Sequence, residues 1–414
     1  MKKLLLALIC GALMTACSSP EPKETPLGAE AFVRVEGPNL IKPDGSKLFI
    51  RGTNLGNWLN PEGYMFGFSR TNSTWMIDLM IKELAGPDFA AKFWKAFKDN
   101  YITRADVEYI AQTGANTIRL PFNYKLFTDE DFMGLTAQQD GFARVDSVVN
   151  WCRDNDLYLI LDMHDAPGGQ TGDNIDDSYG YPWLLEDEAC QQQFCDIWKQ
   201  IADRYKNEPV ILGYELINEA IAPYFDTDAL NPKLEPLHKR AVKAIREVDQ
   251  NHIILLGGPQ WNSTFRVFRD SSYDDKLMYT CHRYGGAPTA EAISHFIQFR
   301  DSVNLPMYMG EIGHGTDEWQ EAFCKTMEAN NIGYTFWPYK KINSGCMMGI
   351  LTPENWDVVR TFSEAPRSTF SEIREARPDQ EIAKQALMDY VKNSTLANCI
   401  PQEGYIRSIL LKVP

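Results

Sequence analysis

The stretch Gly213-Tyr214-Glu215-Leu216-Ile217-Asn218-Glu219 ends an apolar run with an amide and a carboxylate. The run begins at residue 209 and is typical of a buried strand in a parallel sheet. A second strand-like run, 306–310, is followed directly by Glu311. In a (β/α)8 barrel the reactive side chains lie at the carboxyl ends of the strands. The two stretches therefore predict two carboxylates at the same end of one barrel.

Short apolar runs recur along the chain and alternate with stretches of helical periodicity. Eight are expected as strands, over residues 50–56, 116–122, 157–164, 209–219, 253–258, 277–282, 306–311 and 333–337. Alternating strands and helices indicate a parallel β/α fold, and eight repeats favour a closed TIM barrel over an open doubly wound sheet. The chain has 414 residues, of which 44% are hydrophobic, so it is long enough for one large core.

Three additions to the barrel are expected. Residues 32–35 and 47–50 flank the turn signal Asp44-Gly45, which predicts a small hairpin closing the bottom of the barrel. Residues 57–100 form a long βα-loop insertion with helices near 74–84 and 88–98, and such loops carry specificity in barrel enzymes. Residues 364–396 are expected to be C-terminal helices. No repeat or linker divides residues 31–414, which we expect to form a single domain.

The N-terminus has the pattern of an export signal. Two lysines precede an apolar run that is too short to span a bilayer, which predicts a signal peptide over residues 1–16. The sequence Leu13-Met14-Thr15-Ala16-Cys17 resembles a bacterial lipobox, although Met14 stands where Leu is commoner. That resemblance implies lipidation of Cys17, a flexible tether over 17–30, and a lipid-anchored protein of the cell envelope at the outer membrane. An ordinary secretory signal is the alternative.

Composition excludes several classes of function. The formal net charge is −15 and the basic residues form no long cluster, so nucleic-acid binding is not expected. Contact with a membrane is expected only through the N-terminal lipid. The chain has no His-Glu-x-x-His motif and no Cys-x-x-Cys spacing, so we expect no metal and no cofactor. Seven cysteines remain after residue 17, an odd number that is expected to consist mostly of free thiols, with one disulfide left open.

Polar side chains follow the apolar interiors of at least five predicted strands, always at the carboxyl end. The set consists of Arg119, His164, Asn218, Glu219, His282, Tyr284, Glu311 and Trp337. Asp162 and Glu215 lie an even number of residues before a strand end, so they are expected to face the barrel interior as hydrogen-bonded supports. Two carboxylates flanking one cleft are what glycoside hydrolysis requires.

The full set resembles glycoside hydrolase family 5 over residues 31–363. The family pattern is carried by Arg119 in Ile-Arg-Leu-Pro-Phe, His164 in Leu-Asp-Met-His, Asn218-Glu219, His282 and Tyr284 in His-Arg-Tyr, Glu311 in Gly-Glu-Ile-Gly, and Trp337. One departure is Ala220, which stands where the family usually has proline. The resemblance implies a glycoside hydrolase domain with a retaining mechanism that passes through a covalent glycosyl-enzyme.

The same resemblance implies a role for each position. Glu311 is expected to be the nucleophile and Glu219 the acid/base. Arg119 and Tyr284 would hold and orient Glu311, and Asn218 would bind the 2-hydroxyl of the sugar. The remaining positions would contact sugar hydroxyls, tune Glu219 or form the floor under the ring, and they are His164, His282 and Trp337.

Two segments resemble the β-1,3-glucanase-like branch of the family, residues 52–62 and 164–170. In that branch a glutamate after the tryptophan binds the terminal glucose, and Glu62 falls at that place. Aromatic rings suited to stacking on sugars are Trp58, Phe122, Tyr124, Tyr181, Trp183, Trp261 and Trp356. We expect a β-glucan polysaccharide or oligosaccharide substrate with β-1,3 or β-1,4 bonds. The open alternatives are a non-hydrolytic glycan-binding lipoprotein, and a related β-mannanase or transglycosylase.

Overall fold

The computed structural model describes residues 27–134, 138–173 and 175–414. The predicted signal peptide, Cys17 and the tether as far as residue 26 lie outside these residues. Within the described part of the chain, no helix combines the length and the apolar character needed to cross a bilayer. The seven cysteines after residue 17 all lie in the described part, and all are free thiols.

The described chain begins with a three-stranded antiparallel sheet. Its strands are β1 (Arg34–Glu36), β2 (Asn39–Ile41) and β3 (Lys47–Leu48). The Asp44-Gly45 turn is confirmed, but it joins β3 to β2 rather than to the 32–35 segment. The predicted pairing was wrong because a second turn at Gly37-Pro38 adds the unpredicted strand β2, which pairs with β1.

The next eight strands form a closed parallel barrel in which each strand pairs with the next along the chain and the last pairs with the first. They are β4 (Arg51–Asn54), β5 (Thr117–Asn123), β6 (Tyr158–Asp165), β7 (Ile211–Glu215), β8 (Ile253–Gly257), β9 (Leu277–Tyr284), β10 (Met307–Gly313) and β11 (Gly333–Phe336). The predicted TIM barrel is therefore confirmed.

Helices cover the barrel and extend beyond it. They are α1 (Thr74–Ala85), α2 (Pro87–Asn100), α3 (Arg104–Gln112), α4 (Gln138–Asp154), α5 (Glu188–Tyr205), α6 (Thr227–Arg246), α7 (Pro259–Asn262), α8 (Ser294–Val303), α9 (Asp317–Ala329), α10 (Trp356–Glu364), α11 (Phe370–Ala376), α12 (Gln380–Asn393) and α13 (Glu403–Ser408). Between β8 and β9 the chain forms only the single turn α7, whose central residues have left-handed backbone angles. A small sheet completes the fold, with strands β12 (Lys340–Ile342), β13 (Met348–Ile350) and β14 (Ile400–Pro401).

The N-terminal sheet closes the bottom of the barrel, as expected from the sequence. Val33, Leu40 and Leu48 are buried and join one apolar cluster with interior residues of the barrel strands, including Ile253 and Tyr308. Apolar packing at this end leaves the opposite end, where the strands finish, for polar side chains. The fold therefore separates a stabilising end from a chemically reactive end.

A buried ion pair connects the C-terminal helices to the barrel. Lys340 and Asp106 have fully buried side chains, and the Nζ of Lys340 lies 2.6 Å from the Asp106 carboxylate. The same Nζ donates to the carbonyl oxygens of Tyr101 and Ser394 at 2.7 and 2.9 Å. The ammonium group therefore ties the end of α12 to the insertion after β4 and to the start of α3.

Candidate active site

The two predicted carboxylates meet at the carboxyl end of the barrel. Glu311 lies within β10, and Glu219 follows β7 on a turn where its φ is 45°. The Thr171 hydroxyl donates to the Glu219 carbonyl at 2.7 Å, which holds this turn against the loop after β6. Carboxylate oxygens of Glu219 and Glu311 and a ring nitrogen of His282 all lie within 4.8 Å of one another. The carboxylates are therefore close enough to act on opposite faces of one glycosidic carbon.

Arg119 is the centre of the buried network below these carboxylates. Its guanidinium is fully buried and donates to Glu311 at 2.8 Å, to Glu215 at 2.7 and 3.2 Å, and to the Asn218 side-chain oxygen at 2.8 Å. Asp162 lies 3.0 Å from the same guanidinium. Burial lowers the pKa of Arg119, but the facing carboxylates raise it well above its ordinary value. Arg119 is a permanent cation, and Asp162 and Glu215 face the barrel interior as its buried partners, as predicted.

Glu311 is held as an anion. Burial by itself raises the pKa of its carboxyl, but His282, Arg119, His164 and a hydrogen bond from Tyr284 together lower it to about 2. The Tyr284 hydroxyl donates to the second carboxylate oxygen of Glu311 at 2.8 Å, opposite the oxygen held by Arg119. Both oxygens are therefore fixed in orientation, and the carboxylate is ionised at neutral pH.

His282 lies between the two carboxylates. Its Nδ1 is 2.8 Å from Glu219 Oε1 and 3.7 Å from Glu311 Oε2. Its Nε2 faces the side-chain amide of Asn262, with the amide nitrogen at 3.2 Å. The imidazole therefore contacts both reactive groups, and the neutral Asn262 side chain contacts it on the opposite edge.

His164 and Asn218 form the adjoining wall. Burial lowers the pKa of His164, but Asp162, whose carboxylate lies 2.7 Å from Nδ1, and Glu62 raise it to about 10. The Asn218 amide nitrogen lies 3.3 Å from His164 Nε2, and its oxygen is held by Arg119. His164 is therefore a cation at neutral pH, and the Asn218 side chain is held through its oxygen by Arg119.

The glutamates line a cavity of about 220 Å³. Glu62, Tyr64 and His164 form one side of it, and Trp337 stacks on the His164 ring with centroids 5.1 Å apart and planes 3° apart. Glu62 is 6% exposed, and its Oε1 lies 3.7 Å from His164 Nε2 and accepts no hydrogen bond within the described residues. Burial raises the pKa of Glu62. The cavity thus presents an acceptor suited to a ligand hydroxyl.

A second and larger cavity begins on the other side of Glu219. It has a volume of about 570 Å³, and Glu219, Tyr284 and Ile175 line both cavities. Its remaining walls include Trp261, which is 39% exposed, and Phe296. One cleft therefore has a small lobe at Glu311 and a larger, more apolar lobe that is reached past Glu219.

The sequence profile of the cellulase family, glycosyl hydrolase family 5, matches residues 80–343. This match covers more than half of the chain. The chain belongs to glycosyl hydrolase family 5. Hydrolysis of glycosidic bonds is therefore the class of reaction expected of this cleft.

Proteins of similar sequence differ in specificity. The chain is 30% identical to a β-xylosidase of Phanerodontia chrysosporium over 63% of its own length and 54% of the relative, so it spans about half of that protein. It is 28% identical to endoglucanase C of Acetivibrio thermocellus, over 61% of this chain and 88% of the relative. It is 27% identical to a glucan 1,3-β-glucosidase of Lachancea kluyveri, over 81% and 80%.

Solved structures share the family 5 fold. A β-glucanase from Saccharophagus degradans superposes with a TM-score of 0.53 at 18% identity, covering 90% of this chain and 98% of that structure. At this level of identity the similarity supports the barrel and no finer property.

Within this family 5 cleft, the residues predicted from the strand ends come together, but three predicted sugar contacts were wrong. Trp58 was expected to bind sugar, yet it is 1% exposed in the hydrophobic core and its indole NH donates to the Lys98 carbonyl at 2.9 Å. Phe122 and Trp356 are buried in the same core. These rings fill space between the barrel and its helices, so they do not reach the cleft.

Several residues of the site were not found from the sequence. Asn54 accepts from Arg119 at 3.0 Å, and the Tyr308 hydroxyl donates to Glu215. Tyr64 accepts a hydrogen bond from the Trp337 indole, and its ring lies 5.9 Å from that of His314. Asn54 ends β4, so the polar strand-end signal was present there. The others carry no local signal, since only tertiary packing brings them to the cleft.

Proposed function

We propose that the protein is a retaining glycoside hydrolase that removes single sugar residues from the ends of β-linked glucans. Glu311 acts as nucleophile and Glu219 as acid/base. The observation that carries this proposal is the pairing of a carboxylate fixed and ionised by Arg119 and Tyr284 with a second carboxylate at the spacing given above. Two carboxylates about 5 Å apart are typical of retention rather than inversion, which needs room for a water between them.

In the first step, the ionised Glu311 oxygen attacks the anomeric carbon and forms an ester. The bond from that carbon to the leaving oxygen breaks, and the leaving oxygen takes the proton of Glu219. In the second step, Glu219 removes a proton from a water molecule, whose oxygen attacks the same carbon and releases Glu311. Double displacement at one carbon retains the anomeric configuration.

Positive charge develops on the sugar in the transition state of each step, and groups held in fixed positions around the sugar stabilise that transition state. Asn218, whose amide oxygen accepts from Arg119, is placed to bind the 2-hydroxyl, a bond that strengthens as the transition state forms. Preorganised groups of this kind need no reorganisation during the reaction.

The sizes of the two lobes support action at chain ends. The lobe at Glu311 is about 220 Å³, below the roughly 300–1,000 Å³ of common ligand pockets, and this favours one sugar ring. The acceptor of Glu62 would bind a terminal hydroxyl there. The larger lobe beyond Glu219 would hold the leaving part of the substrate against Trp261.

A β-glucan is the proposed substrate, since relatives include an endoglucanase and a glucan 1,3-β-glucosidase.

We further propose that residues 31–414 act as one catalytic domain, anchored to the cell envelope through a lipid on Cys17 after removal of residues 1–16. Labelling of cells with a radioactive fatty acid, compared between the native chain and Cys17→Ala, tests the anchor. Absence of label from the native chain would contradict it.

Incubation of the purified protein with β-1,3-, β-1,4-, β-1,6- and mixed-linkage glucans and with mannan tests the activity. Products are sized over time, and Glu311→Ala is the control without a nucleophile. Single glucose units released from the outset would support the proposal. An early spread of oligosaccharides would mean internal cleavage, mannan-derived products would mean a mannanase, longer products would mean transglycosylation, and binding without cleavage would mean a glycan-binding protein.

The leaving-group lobe is tested with Trp261→Ala on glucose oligomers of increasing length. The variant is expected to raise KM for oligomers that reach past the first leaving sugar and to leave KM for the disaccharide nearly unchanged. An equal increase in KM at every length would contradict the assignment of Trp261 to the leaving side.

A further inference from the structure

The turn after β8 combines three unusual features directly beneath His282. Gln260, Trp261 and Asn262 have consecutive φ values of 51°, 58° and 54°, in the left-handed region that residues other than glycine seldom adopt. Asn262 is fully buried, and its amide nitrogen contacts His282 Nε2 at 3.2 Å. Its oxygen has no partner among the described residues. The single polar contact of this side chain is therefore with His282.

Strand β8 leaves space for the Asn262 amide because its last residue, Gly257, has no side chain. A side-chain carbon at Gly257 would lie 2.5 Å from the Asn262 oxygen, closer than such atoms approach in proteins. Gly257 does not have a positive φ, so glycine is needed there for space rather than for backbone conformation. The absence of a side chain at residue 257 and the left-handed turn at 260–262 together place one carboxamide against one ring nitrogen.

From this geometry we propose that Asn262 is a positioning residue that holds His282 as the neutral tautomer with its proton on Nδ1. An amide NH that donates to Nε2 occupies the lone pair of that nitrogen, so the ring proton stays on Nδ1. Nδ1–H then donates to Glu219 Oε1, at 2.8 Å. The inference rests on the proposed role of Glu219 as acid/base.

The consequence concerns which oxygen of Glu219 carries the transferable proton. With Oε1 accepting from His282, the acid proton resides on Oε2, which is free to face the leaving oxygen. With the opposite tautomer, the Nδ1 lone pair would instead accept the proton of Oε1 and hold it away from the substrate. Asn262 therefore keeps the acid proton available in the first step. In the second step, when Glu219 is a carboxylate, the same tautomer lets Nδ1–H donate a hydrogen bond to Glu219 Oε1.

Asn262→Asp is the substitution that tests this inference. Aspartate has nearly the same size as asparagine and also tolerates left-handed backbone angles, but it offers acceptors in place of the NH donor. We expect His282 to acquire a proton on Nε2, and we expect kcat on substrates with poor leaving groups to fall about tenfold or more. Aryl β-glucosides whose leaving groups need no protonation should keep a nearly native kcat/KM, which reports only the steps up to loss of the leaving group, and damage to the fold would not produce this selectivity.

Nitrogen-15 NMR of histidine-labelled protein reads the tautomer independently of activity. The native protein is expected to show one protonated and one unprotonated ring nitrogen for His282, with the proton on Nδ1. A native His282 protonated on Nε2 or on both nitrogens would overturn the inference, as would an unchanged tautomer in Asn262→Asp. Because this readout needs no substrate, the inference stands or falls separately from the proposed function. Failure of the native protein to hydrolyse any glycoside would contradict the proposed function.

Two further variants control for the fold. Asn304→Asp makes the same exchange at an exposed residue with a φ of 52°, and should leave both the tautomer and the rates unchanged. Gly257→Ala keeps the asparagine but displaces its amide, and should reproduce the leaving-group selectivity of Asn262→Asp. Equal losses on good and poor leaving groups in Gly257→Ala would argue against the positioning role.

Discussion

Replacing Glu311 by glutamine should weaken the fold at neutral pH and have a smaller effect in acid. The folded protein lowers the pKa of this buried carboxyl from 4.5 to about 2, because the cations and hydrogen bonds around it outweigh its burial. A difference of about 2.5 in pKa, at about 1.36 kcal/mol for each pKa unit, corresponds to an upper bound of roughly 3 kcal/mol, because part of the lowering comes from charge on His282, which the neutral tautomer proposed above does not carry. Glutamine cannot ionise, so the variant lacks this contribution.

The sign of the pH dependence follows from the direction of the change. A carboxyl with a lowered pKa stabilises the folded state fully above its ordinary pKa of 4.5, and this stabilisation is lost as the pH falls towards 2. The native protein should therefore exceed Glu311→Gln in free energy of unfolding by up to about 3 kcal/mol at pH 7 and by no more than about 1 kcal/mol at pH 3.

Urea unfolding followed by tryptophan fluorescence at the two pH values measures both differences. Glu321→Gln is the matched control, since Glu321 is exposed on α9 and its loss should change stability by no more than about 0.5 kcal/mol. A Glu311→Gln variant that is as stable as the native protein at pH 7 would refute the reasoning. So would a deficit that is equal at pH 7 and pH 3.

Three other substitutions separate the supporting roles. Lys340→Met leaves the buried Asp106 without its cation and should cost about 3–5 kcal/mol in urea unfolding; a loss below 1 kcal/mol would contradict the pairing. Tyr284→Phe removes one donor to Glu311, so the acid limb of kcat/KM should move up by about one pH unit, and an unmoved limb would argue against that contact. Trp58→Phe should lower stability by about 1 kcal/mol through the lost indole hydrogen bond while KM stays constant; an increased KM would restore its role in sugar binding.

The barrel and its reactive end were predictable because both leave local signals in the sequence. A buried parallel strand must be apolar, and a polar residue at its carboxyl end marks where burial stops. This is why Glu311 and Arg119, which lie within barrel strands, were found together with His164 and His282. The interior support role of Glu215 followed from the two-residue period of a strand.

The parts that the sequence did not predict depend on tertiary packing. Trp58 and Trp261 both look suited to sugar stacking, but only the packed structure separates the core ring from the exposed one. Asn262 reaches His282 because three left-handed residues turn the chain back under β9, and nothing in a Gln-Trp-Asn triplet indicates that conformation. Strand β2 was missed because its three residues are too short to give a periodic signal.

The most direct test of the central claim is to trap the covalent intermediate on the nucleophile. The fluorine of an activated 2-deoxy-2-fluoro β-glucoside slows both steps, and the good leaving group restores the rate of the first step only. The glycosyl-enzyme therefore accumulates. Mass spectrometry of the intact protein and of its peptic peptides should show one added fluoroglycosyl group, located on Glu311. An adduct on another residue would contradict the account, as would turnover of unmodified glucan with inversion at the anomeric carbon.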